Sequence, residues 1–295
     1  MREILVISGK GGTGKTSLTA AFAHLAREAV LCDLDVDAPD LHILLSPTIE
    51  TCEDFIAGRE AVIDPRRCTG CGECLARCRF AAVVSDSGGF RIDPLKCEGC
   101  KVCVRFCPEG AIDFPERRSG QWLRSRTRFG PLIHARLLPG AGNSGRLVAL
   151  LREKARELAC SAGRRLILSD GAPGIGCPVI SSLSGADAAV VVTEPTPSGI
   201  HDLERVLSLC RHFRVPAGVV VNKADLAPEN TRALKAGCRE NGAAWLGEID
   251  YDERFPAAMT RRMAITEFCD DGPAVAVRRI WDGVGDRVSR PARAT

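Results

Sequence analysis

The chain has 295 residues, 45% of them apolar and 26% charged, with a formal net charge of +3 at pH 7. This composition is typical of a globular protein of one or two domains, and the near-neutral charge argues against a nucleic-acid partner. No apolar run reaches the ~20 residues of a membrane span, and the N-terminus does not resemble a signal peptide, so we expect a cytoplasmic protein without stable membrane insertion.

The first forty residues predict a strand, a glycine-rich loop, a helix and a second strand. Residues 3–8 are a short apolar run, and residues 9–16 contain the glycines. Residues 17–27 have helical periodicity, and residues 29–32 form another apolar run. A strand that leads through a glycine loop into a helix is the beginning of an α/β domain.

Between about residues 65 and 115 the cysteines cluster and helical periodicity disappears. The pattern C-x2-C-x2-C-x3-C occurs twice, and the second copy begins 29 residues after the first (97 minus 68), which indicates an internal duplication. The two quartets are Cys68, Cys71, Cys74 and Cys78, then Cys97, Cys100, Cys103 and Cys107.

The spacing of both quartets is that of bacterial two-cluster ferredoxins, in which the fourth cysteine of each run binds the other cluster. It predicts two [4Fe–4S] clusters, with the ligand sets Cys68, Cys71, Cys74 and Cys107, and Cys97, Cys100, Cys103 and Cys78. Structural zinc is the alternative, but zinc sites use two separate C-x2-C pairs. We expect most of the other seven cysteines to be small buried hydrophobic residues.

An arginine-rich segment follows the cysteine module. Its arginines are Arg117, Arg118, Arg124, Arg126, Arg128 and Arg136. One interpretation is a connecting segment whose charges are merely solvated. The other is a docking surface for an acidic redox partner such as a small ferredoxin.

The second half of the chain alternates strands and helices. Residues 145–159 have helical periodicity, and short apolar runs rich in β-branched residues follow at 165–169, 188–193, 217–221 and 245–249. The pattern predicts a doubly wound, mainly parallel sheet covered on both faces. In the last apolar segment, residues 274–288, Gly283 and Gly285 weaken the helical pattern, and we expect the segment to pack onto the α/β core.

The predicted domain order is therefore discontinuous. One α/β domain comprises residues 1–60 and 117–288, the ferredoxin-like module comprises residues 61–116, and residues 289–295 form a C-terminal tail.

The loop GKGGTGKT at residues 9–16 predicts a nucleotide site. Backbone N–H groups of such a loop surround phosphate oxygens, and the following helix adds its positive N-terminal end. Lys15 is expected to contact the β- and γ-phosphates of ATP, and the Thr16 hydroxyl to bind Mg²⁺. The full set of predicted loop contacts is Gly11, Gly12, Thr13, Gly14, Lys15, Thr16 and Ser17.

Polar residues at three strand ends extend this site. Asp170 ends an apolar strand and is placed to hold Mg²⁺ through water. Asp33 and Asp35 follow the second strand. Asn222 follows the run 217–221, where it either reads a purine edge or closes a turn.

Lys10, the first lysine of KGGTGKT, resembles the deviant Walker A lysine of the MinD, ParA and nitrogenase iron protein superfamily. With the quartets, DGAPGIGCPVI (170–180) and TEPTPSGIHDLERV (193–206), the chain resembles the MinD-superfamily ATPases that contain an inserted ferredoxin domain. The resemblance implies ATPase activity and a nucleotide-dependent dimer, either a homodimer or a heterodimer with a paralogue. In that dimer Lys10 reaches the partner's nucleotide, Asp33 or Asp35 orients a water, and Asp170 is the Walker B carboxylate.

Three functions are compatible with this sequence. The first is an ATP-gated electron carrier, in which a nucleotide-dependent dimer is coupled to two [4Fe–4S] clusters. The second is a carrier or scaffold for iron–sulfur or metal cofactors. The third is a MinD-like positioning ATPase whose clusters are structural or sensory.

Overall fold

The structure is a computed structural model that describes the backbone of residues 1–289 and the side chains of residues 1–285. Of the predicted tail, residues 289–295, only Ser289 is described, as the last residue of a helix. The rest of the tail lies outside the described residues.

The described chain contains thirteen strands. They are β1 Arg2–Ser8, β2 Val30–Asp33, β3 Thr48–Arg59, β4 Val62–Ile63, β5 Val83–Asp86, β6 Gly89–Ile92, β7 Ile112–Asp113, β8 Glu116–Thr127, β9 Gly130–Leu137, β10 Leu166–Pro173, β11 Ala188–Thr193, β12 Ala217–Asn222 and β13 Ala244–Ile249. Nine form one sheet in the order β13-β12-β11-β1-β10-β2-β9-β8-β3. The expectation of an α/β fold with a mainly parallel sheet is confirmed.

The parallel register of the central strands positions the candidate site. Val6 of β1 lies beside Asp170 of β10, and Asp170 lies beside Asp33, the last residue of β2. All six residues of β11 are buried, as expected for a strand covered on both faces. The carboxyl ends of β1, β10 and β2 therefore meet at one edge of the sheet.

Eleven α-helices and one 3₁₀ helix complete the described chain. They are α1 Lys15–Ala26, α2 Leu41–Leu45, α3 Glu73–Arg77, α4 Val102–Phe106, α5 Ser144–Ser161, α6 Cys177–Leu183, α7 Pro197–His212, η1 Ala224–Leu226, α8 Pro228–Glu240, α9 Arg254–Thr260, α10 Ile265–Phe268 and α11 Pro273–Ser289. No helix within residues 1–289 combines the length and the apolar character needed to cross a bilayer.

The last helix, α11, is continuous through Gly283 and Gly285, and it packs onto the core of the larger unit as expected. Its apolar face, with Val277, Ile280 and Val284, is buried in the main core. Tertiary burial of an amphipathic face contributes more to helix stability than local propensity does, and it outweighs the two glycines here.

The chain divides into two compact units, each with its own core. The larger unit comprises Met1–Cys52, Trp122–Arg136 and the chain from Ser144 onward, and the smaller unit comprises Glu53–Gln121 and Leu137–Asn143. Strands β3 and β8 each begin in one unit and end in the other.

The smaller unit contains two copies of one motif, related by the same 29-residue offset as the quartets. Helix α3 corresponds to α4, and the antiparallel pair β4–β7 corresponds to β6–β5. Equivalent hydrogen bonds recur: the amide of Cys68 donates to the Asp64 carbonyl at 3.1 Å, and that of Cys97 to the Asp93 carbonyl at 3.1 Å. The duplication in sequence is therefore a duplication of backbone structure.

The arginine-rich segment is not a connecting loop, because most of it lies in β8 and β9. Several of its arginines have acidic partners within their own unit. Arg124 is 3.2 Å from Glu50, Arg118 is 2.8 Å from Asp54, and Arg128 is 2.8 Å from Glu267. These three charges are paired at the surface, while their side chains stay 34–49% exposed, so the solvated and the partner-binding interpretations both remain predictions.

Two glycines at equivalent positions of the cysteine motifs provide a matched stability test. Gly70 and Gly99 both have positive φ angles, 76° and 61°. A Cβ atom at Gly99 would lie 2.3 Å from the Arg59 carbonyl oxygen, whereas one at Gly70 would meet no atom within 4 Å. We expect Gly70→Ala to lower the free energy of unfolding by about 1 kcal/mol through backbone strain alone.

The same substitution at Gly99 adds a clash with the backbone, so we expect it to lower the free energy of unfolding by roughly 1–3 kcal/mol more than Gly70→Ala does. Thermal unfolding followed by circular dichroism measures both variants against the unmodified protein. Equal midpoints for the two variants would contradict the close approach at Gly99.

Candidate functional site

The loop between β1 and α1 is shaped by two left-handed glycines. Gly12 has φ 79° and Gly14 has φ 88°. A Cβ atom on Gly14 would lie 2.4 Å from Nδ2 of Asn222, so no larger residue fits there without displacing that amide. The loop leads directly into the N-terminus of α1, a twelve-residue helix whose first residue is Lys15. A helix N-terminus that follows a glycine loop is a binding site for phosphate groups.

Lys15 lies among the carboxylates at this edge of the sheet. Its Nζ atom is 3.1 Å from Oδ1 of Asp170 and 3.3 Å from Oδ2 of Asp35. The hydroxyl of Thr16 donates to Asp170 Oδ2 at 2.8 Å, and that of Thr19 donates to Oδ1 at 2.9 Å. Asp170 is fully buried, and Lys15 is only 6% exposed. The structure thus brings together predicted site residues from α1, β10 and the end of β2.

Negative charge exceeds positive charge in this cluster. Burial lowers the pKa of Lys15, but the charges of Asp170, Asp35 and Asp33 act against burial and raise that pKa above its usual value. Burial, followed by the charge of Asp170, raises the pKa of Asp33 well above its usual range. Burial also raises the pKa of Asp35. One ammonium group facing three carboxylates leaves room for a further cation.

Among the described residues, no group of three or more His, Cys, Asp or Glu side chains is arranged to hold a metal ion. Mg²⁺ is usually held by one or two carboxylates together with substrate phosphates and water, rather than by a cage of protein ligands. Thr16 and Asp170, which are hydrogen-bonded to each other, suit this incomplete form of coordination. The residues present therefore fit a magnesium ion that arrives with a nucleotide.

Asp33 and Asp35 have different contacts. Asp33 accepts the backbone N–H of Asp35 at 3.2 Å and that of Leu41 at 3.3 Å, so it fixes the segment between β2 and α2. Asp35 instead contacts the Lys15 ammonium group. The sequence left both residues as candidates for orienting a water, and in the structure they have different contacts.

Asn222, at the end of β12, lies against the phosphate loop. Its Nδ2 atom donates to the Thr13 carbonyl at 2.9 Å, and its Oδ1 atom accepts the backbone N–H of Lys223. Beside it is a pocket of about 230 Å³, lined by Gly12, Gly14, Ser17, Asn222, Lys223, Asp250, Tyr251, Asp252, Phe255, Pro256 and Met259. Apolar and aromatic surfaces next to a phosphate loop suit a planar nucleobase.

Lys10 is bound within its own chain. Its Nζ atom is 3.0 Å from Oε2 of Glu194 and 3.2 Å from Oγ1 of Thr196. The other oxygen of Glu194 accepts a hydrogen bond from Lys223. Sequence reasoning missed Glu194, although it directly follows β11 at the strand end where site residues are expected.

Four cysteines from both quartets line one cavity in the smaller unit. They are Cys68, Cys71, Cys74 and Cys107, together with Ile63, Phe90 and Ile112. The backbone N–H of Ala111 donates to Cys107 Sγ at 3.3 Å, and that of Ala82 donates to Cys78 Sγ at 3.4 Å. Cys78, Cys97 and Cys103 pack against the same small core.

Among the described residues, the cysteines are not arranged around a single metal ion. A single ion needs ligands that converge on one point, and no such convergence occurs among the described residues. In a [4Fe–4S] cluster each cysteine binds a separate iron, so the thiols surround a volume instead. Of the two predicted ligand sets, Cys68, Cys71, Cys74 and Cys107 line one cavity.

The other seven cysteines are more varied than expected. Cys32, Cys210 and Cys238 are buried, as expected for small hydrophobic residues, and Cys269 is partly buried. Cys52, Cys160 and Cys177 are exposed. Three of the seven are buried, so the expectation that most of them are buried is wrong.

Comparison with known proteins identifies a nucleotide-binding domain family. Residues 4–265 match the model of the CobQ/CobB/MinD/ParA nucleotide binding domain. One uncharacterized protein of Methanocaldococcus jannaschii is 34% identical over 75% of this chain and 78% of its own length. A second uncharacterized protein of that organism is 28% identical over 86% and 87%.

A solved structure shares the fold. The septum site-determining protein MinD of Pyrococcus horikoshii, complexed with Mg-ADP, superposes with a TM-score of 0.59 at 15% identity and covers 99% of both chains.

The buried charge cluster predicts that the two loop lysines differ in their effect on stability. Lys15→Ala removes the cation next to a fully buried carboxylate, which costs about 3–5 kcal/mol when a buried pair is broken. Lys10→Ala breaks a more exposed contact and leaves Glu194 paired with Lys223, so we expect about 1 kcal/mol or less. Urea unfolding of both variants without nucleotide measures the difference. Similar losses for both would show that the carboxylates do not depend on Lys15.

Proposed function

Because the chain belongs to the CobQ/CobB/MinD/ParA nucleotide-binding domain family, we propose that it binds and hydrolyses ATP with Mg²⁺. We further propose that a nucleotide-dependent dimer couples this ATPase to electron transfer through two [4Fe–4S] clusters. The observation that carries the ATPase proposal is the contact of Lys15 and Thr16 with Asp170, where the phosphate loop enters α1.

Each residue of this cluster has a proposed role. The Lys15 ammonium group neutralises the β- and γ-phosphates, and the backbone N–H groups of residues 11–17 surround them. Thr16 and Asp170 would hold Mg²⁺, which neutralises charge that develops on the transferred phosphoryl group. Asn222 keeps the base pocket in contact with the loop through Thr13 and reads the adenine edge.

The different contacts of Asp33 and Asp35 support different roles for these two residues. Asp35, beside Lys15, is the group we propose to orient the attacking water. Asp33 fixes the backbone that carries Asp35 and is a positioning residue. In this proposal Lys10 is a deviant Walker A lysine, which reaches the nucleotide of the partner protomer and completes the site only in a dimer.

The cysteine-rich module is the basis of the electron-transfer proposal. Bound clusters would supply one-electron chemistry, with Cys68, Cys71, Cys74 and Cys107 holding one and Cys97, Cys100, Cys103 and Cys78 holding the other. The N–H groups of Ala82 and Ala111 donate to ligand sulfurs, and such hydrogen bonds influence the reduction potential. The duplicated backbone and the shared cavity support this assignment.

The proposed organisation follows the two modules. Residues 1–60 and 117–288 form the ATPase domain, and residues 61–116 form an inserted ferredoxin-like domain. A reducing compartment such as the cytoplasm keeps thiols available for cluster ligation. Two relatives in one organism make a paralogue as suitable a dimer partner as a second copy.

Exposed ligands favour a second candidate, a carrier or scaffold for cofactors. Cys71 and Cys100 occupy equivalent positions in the two quartets, and both are exposed. An exposed thiolate is open to ligand exchange with another protein. A third candidate is a MinD-like positioning ATPase whose clusters are structural or sensory, and the family match together with the fold shared with MinD favours it.

The dimer proposal predicts distinct effects for the two loop lysines. Lys15→Ala is expected to abolish binding of MgATP, measured by calorimetry. Lys10→Ala is expected to bind MgATP normally but to lose hydrolysis and the nucleotide-dependent dimer, measured by phosphate release and sedimentation. Normal hydrolysis by a monomeric Lys10→Ala protein would rule out a role for Lys10 in trans.

The cluster proposal predicts about eight iron and eight sulfide per chain after anaerobic purification. Cys107→Ala is expected to damage the cluster held mainly by the first quartet, and Cys78→Ala the cluster held mainly by the second. Iron and acid-labile sulfide analysis with electron paramagnetic resonance measures both. Cys210→Ala, at a buried cysteine outside the quartets, is the matched control. Stoichiometric zinc without sulfide would overturn the proposal.

A further inference from the structure

Glu194 connects two parts of the nucleotide site that are far apart in sequence. One carboxylate oxygen is 3.0 Å from the ammonium group of Lys10, at the start of the phosphate loop. The other accepts a hydrogen bond from Lys223, which lines the base pocket. One acidic side chain thus holds two cations of the site at once.

The backbone around Glu194 is held in place. Thr196 caps α7 by accepting the N–H of Gly199 at 3.1 Å, and its hydroxyl also lies 3.2 Å from Lys10 Nζ. A Cβ atom on Gly199 would lie 2.4 Å from the Glu194 carbonyl oxygen, so the turn is closely packed. The carboxylate that holds Lys10 is therefore on a fixed segment, while the lysine side chain is the longer and more adaptable partner.

We propose that Glu194 is a positioning residue for Lys10, which it retains on its own protomer until a nucleotide-dependent dimer forms. This inference rests on the proposed role of Lys10 in trans. An ammonium group bound to Glu194 is not available to a partner's phosphates, so each protomer must break this contact as the dimer closes. The Lys10–Glu194 pair therefore opposes dimerisation and sharpens its dependence on nucleotide.

The size of the effect follows from the exposure of the pair. The Lys10 side chain is 29% exposed and that of Glu194 is 11% exposed. A partly exposed ion pair changes an equilibrium constant by about threefold. A symmetric dimer breaks two such pairs, so we expect an effect of about tenfold on its dissociation constant.

Substitutions of Glu194 and of its second partner, Lys223, should change the dimer dissociation constant in opposite directions. Glu194→Gln keeps the side-chain shape and removes the charge, so Lys10 is released more easily and the dimer should tighten about tenfold. Lys223→Gln removes the competing cation, so Glu194 holds Lys10 more strongly and the dimer should weaken. A role in folding alone would not produce opposite signs.

The test measures the dimer dissociation constant by analytical ultracentrifugation of the full chain, with a non-hydrolysable ATP analogue at saturating concentration. Glu267→Gln is the control, because Glu267 also pairs with an arginine in the larger unit but does not contact Lys10.

The outcomes separate the two proposals. If the unmodified protein does not dimerise with nucleotide, the proposed role of Lys10 in trans fails, and the role of Glu194 fails with it. If it does dimerise, an unchanged or weaker dimer for Glu194→Gln overturns the role of Glu194 alone. A shift of equal size in Glu267→Gln overturns it as well.

Discussion

The buried contact between the Lys15 ammonium group and the Asp170 carboxylate is the interaction on which the candidate site depends. A fully buried carboxylate requires a cation or several hydrogen-bond donors, and Asp170 has Lys15 together with two threonine hydroxyls. All three donors belong to α1, so the pairing fixes this helix against β10. The phosphate loop, which joins β1 to α1, is held at both ends as a result.

Much of the larger unit follows from its sequence pattern. Short buried runs rich in valine predict parallel strands, and a glycine loop between a strand and a helix predicts the phosphate site. Strands β3, β8 and β9 escaped prediction. The many charged residues of β3 and β8 do not distinguish a paired strand from a solvated segment. Pairing of Arg124 with Glu50 joins residues 74 positions apart, which local patterns do not encode.

In the candidate site, too, the sequence predicts what local patterns determine but not the contacts between residues that are distant along the chain. Strand ends indicated Asp33, Asp35, Asp170 and Asn222 as site residues. The separate contacts of Asp33 and Asp35 depend on which backbone N–H groups the intervening turn presents, and sequence alone does not specify that turn. Glu194 also follows a strand end, but its role depends on contacts with Lys10 and Lys223, which are distant in sequence.

The two cysteine motifs have one unequal position that bears on their ancestry. Gly72 and Lys101 occupy equivalent places before α3 and α4, and both have positive φ angles, 78° and 66°. Glycine accepts this conformation readily, whereas lysine is strained by it. If the two halves arose by gene duplication, both have kept the left-handed backbone conformation at this position, but only one has kept the glycine that adopts it most readily. A homology search that demands glycine before each helix would therefore recognise the first half of such a module and overlook the second.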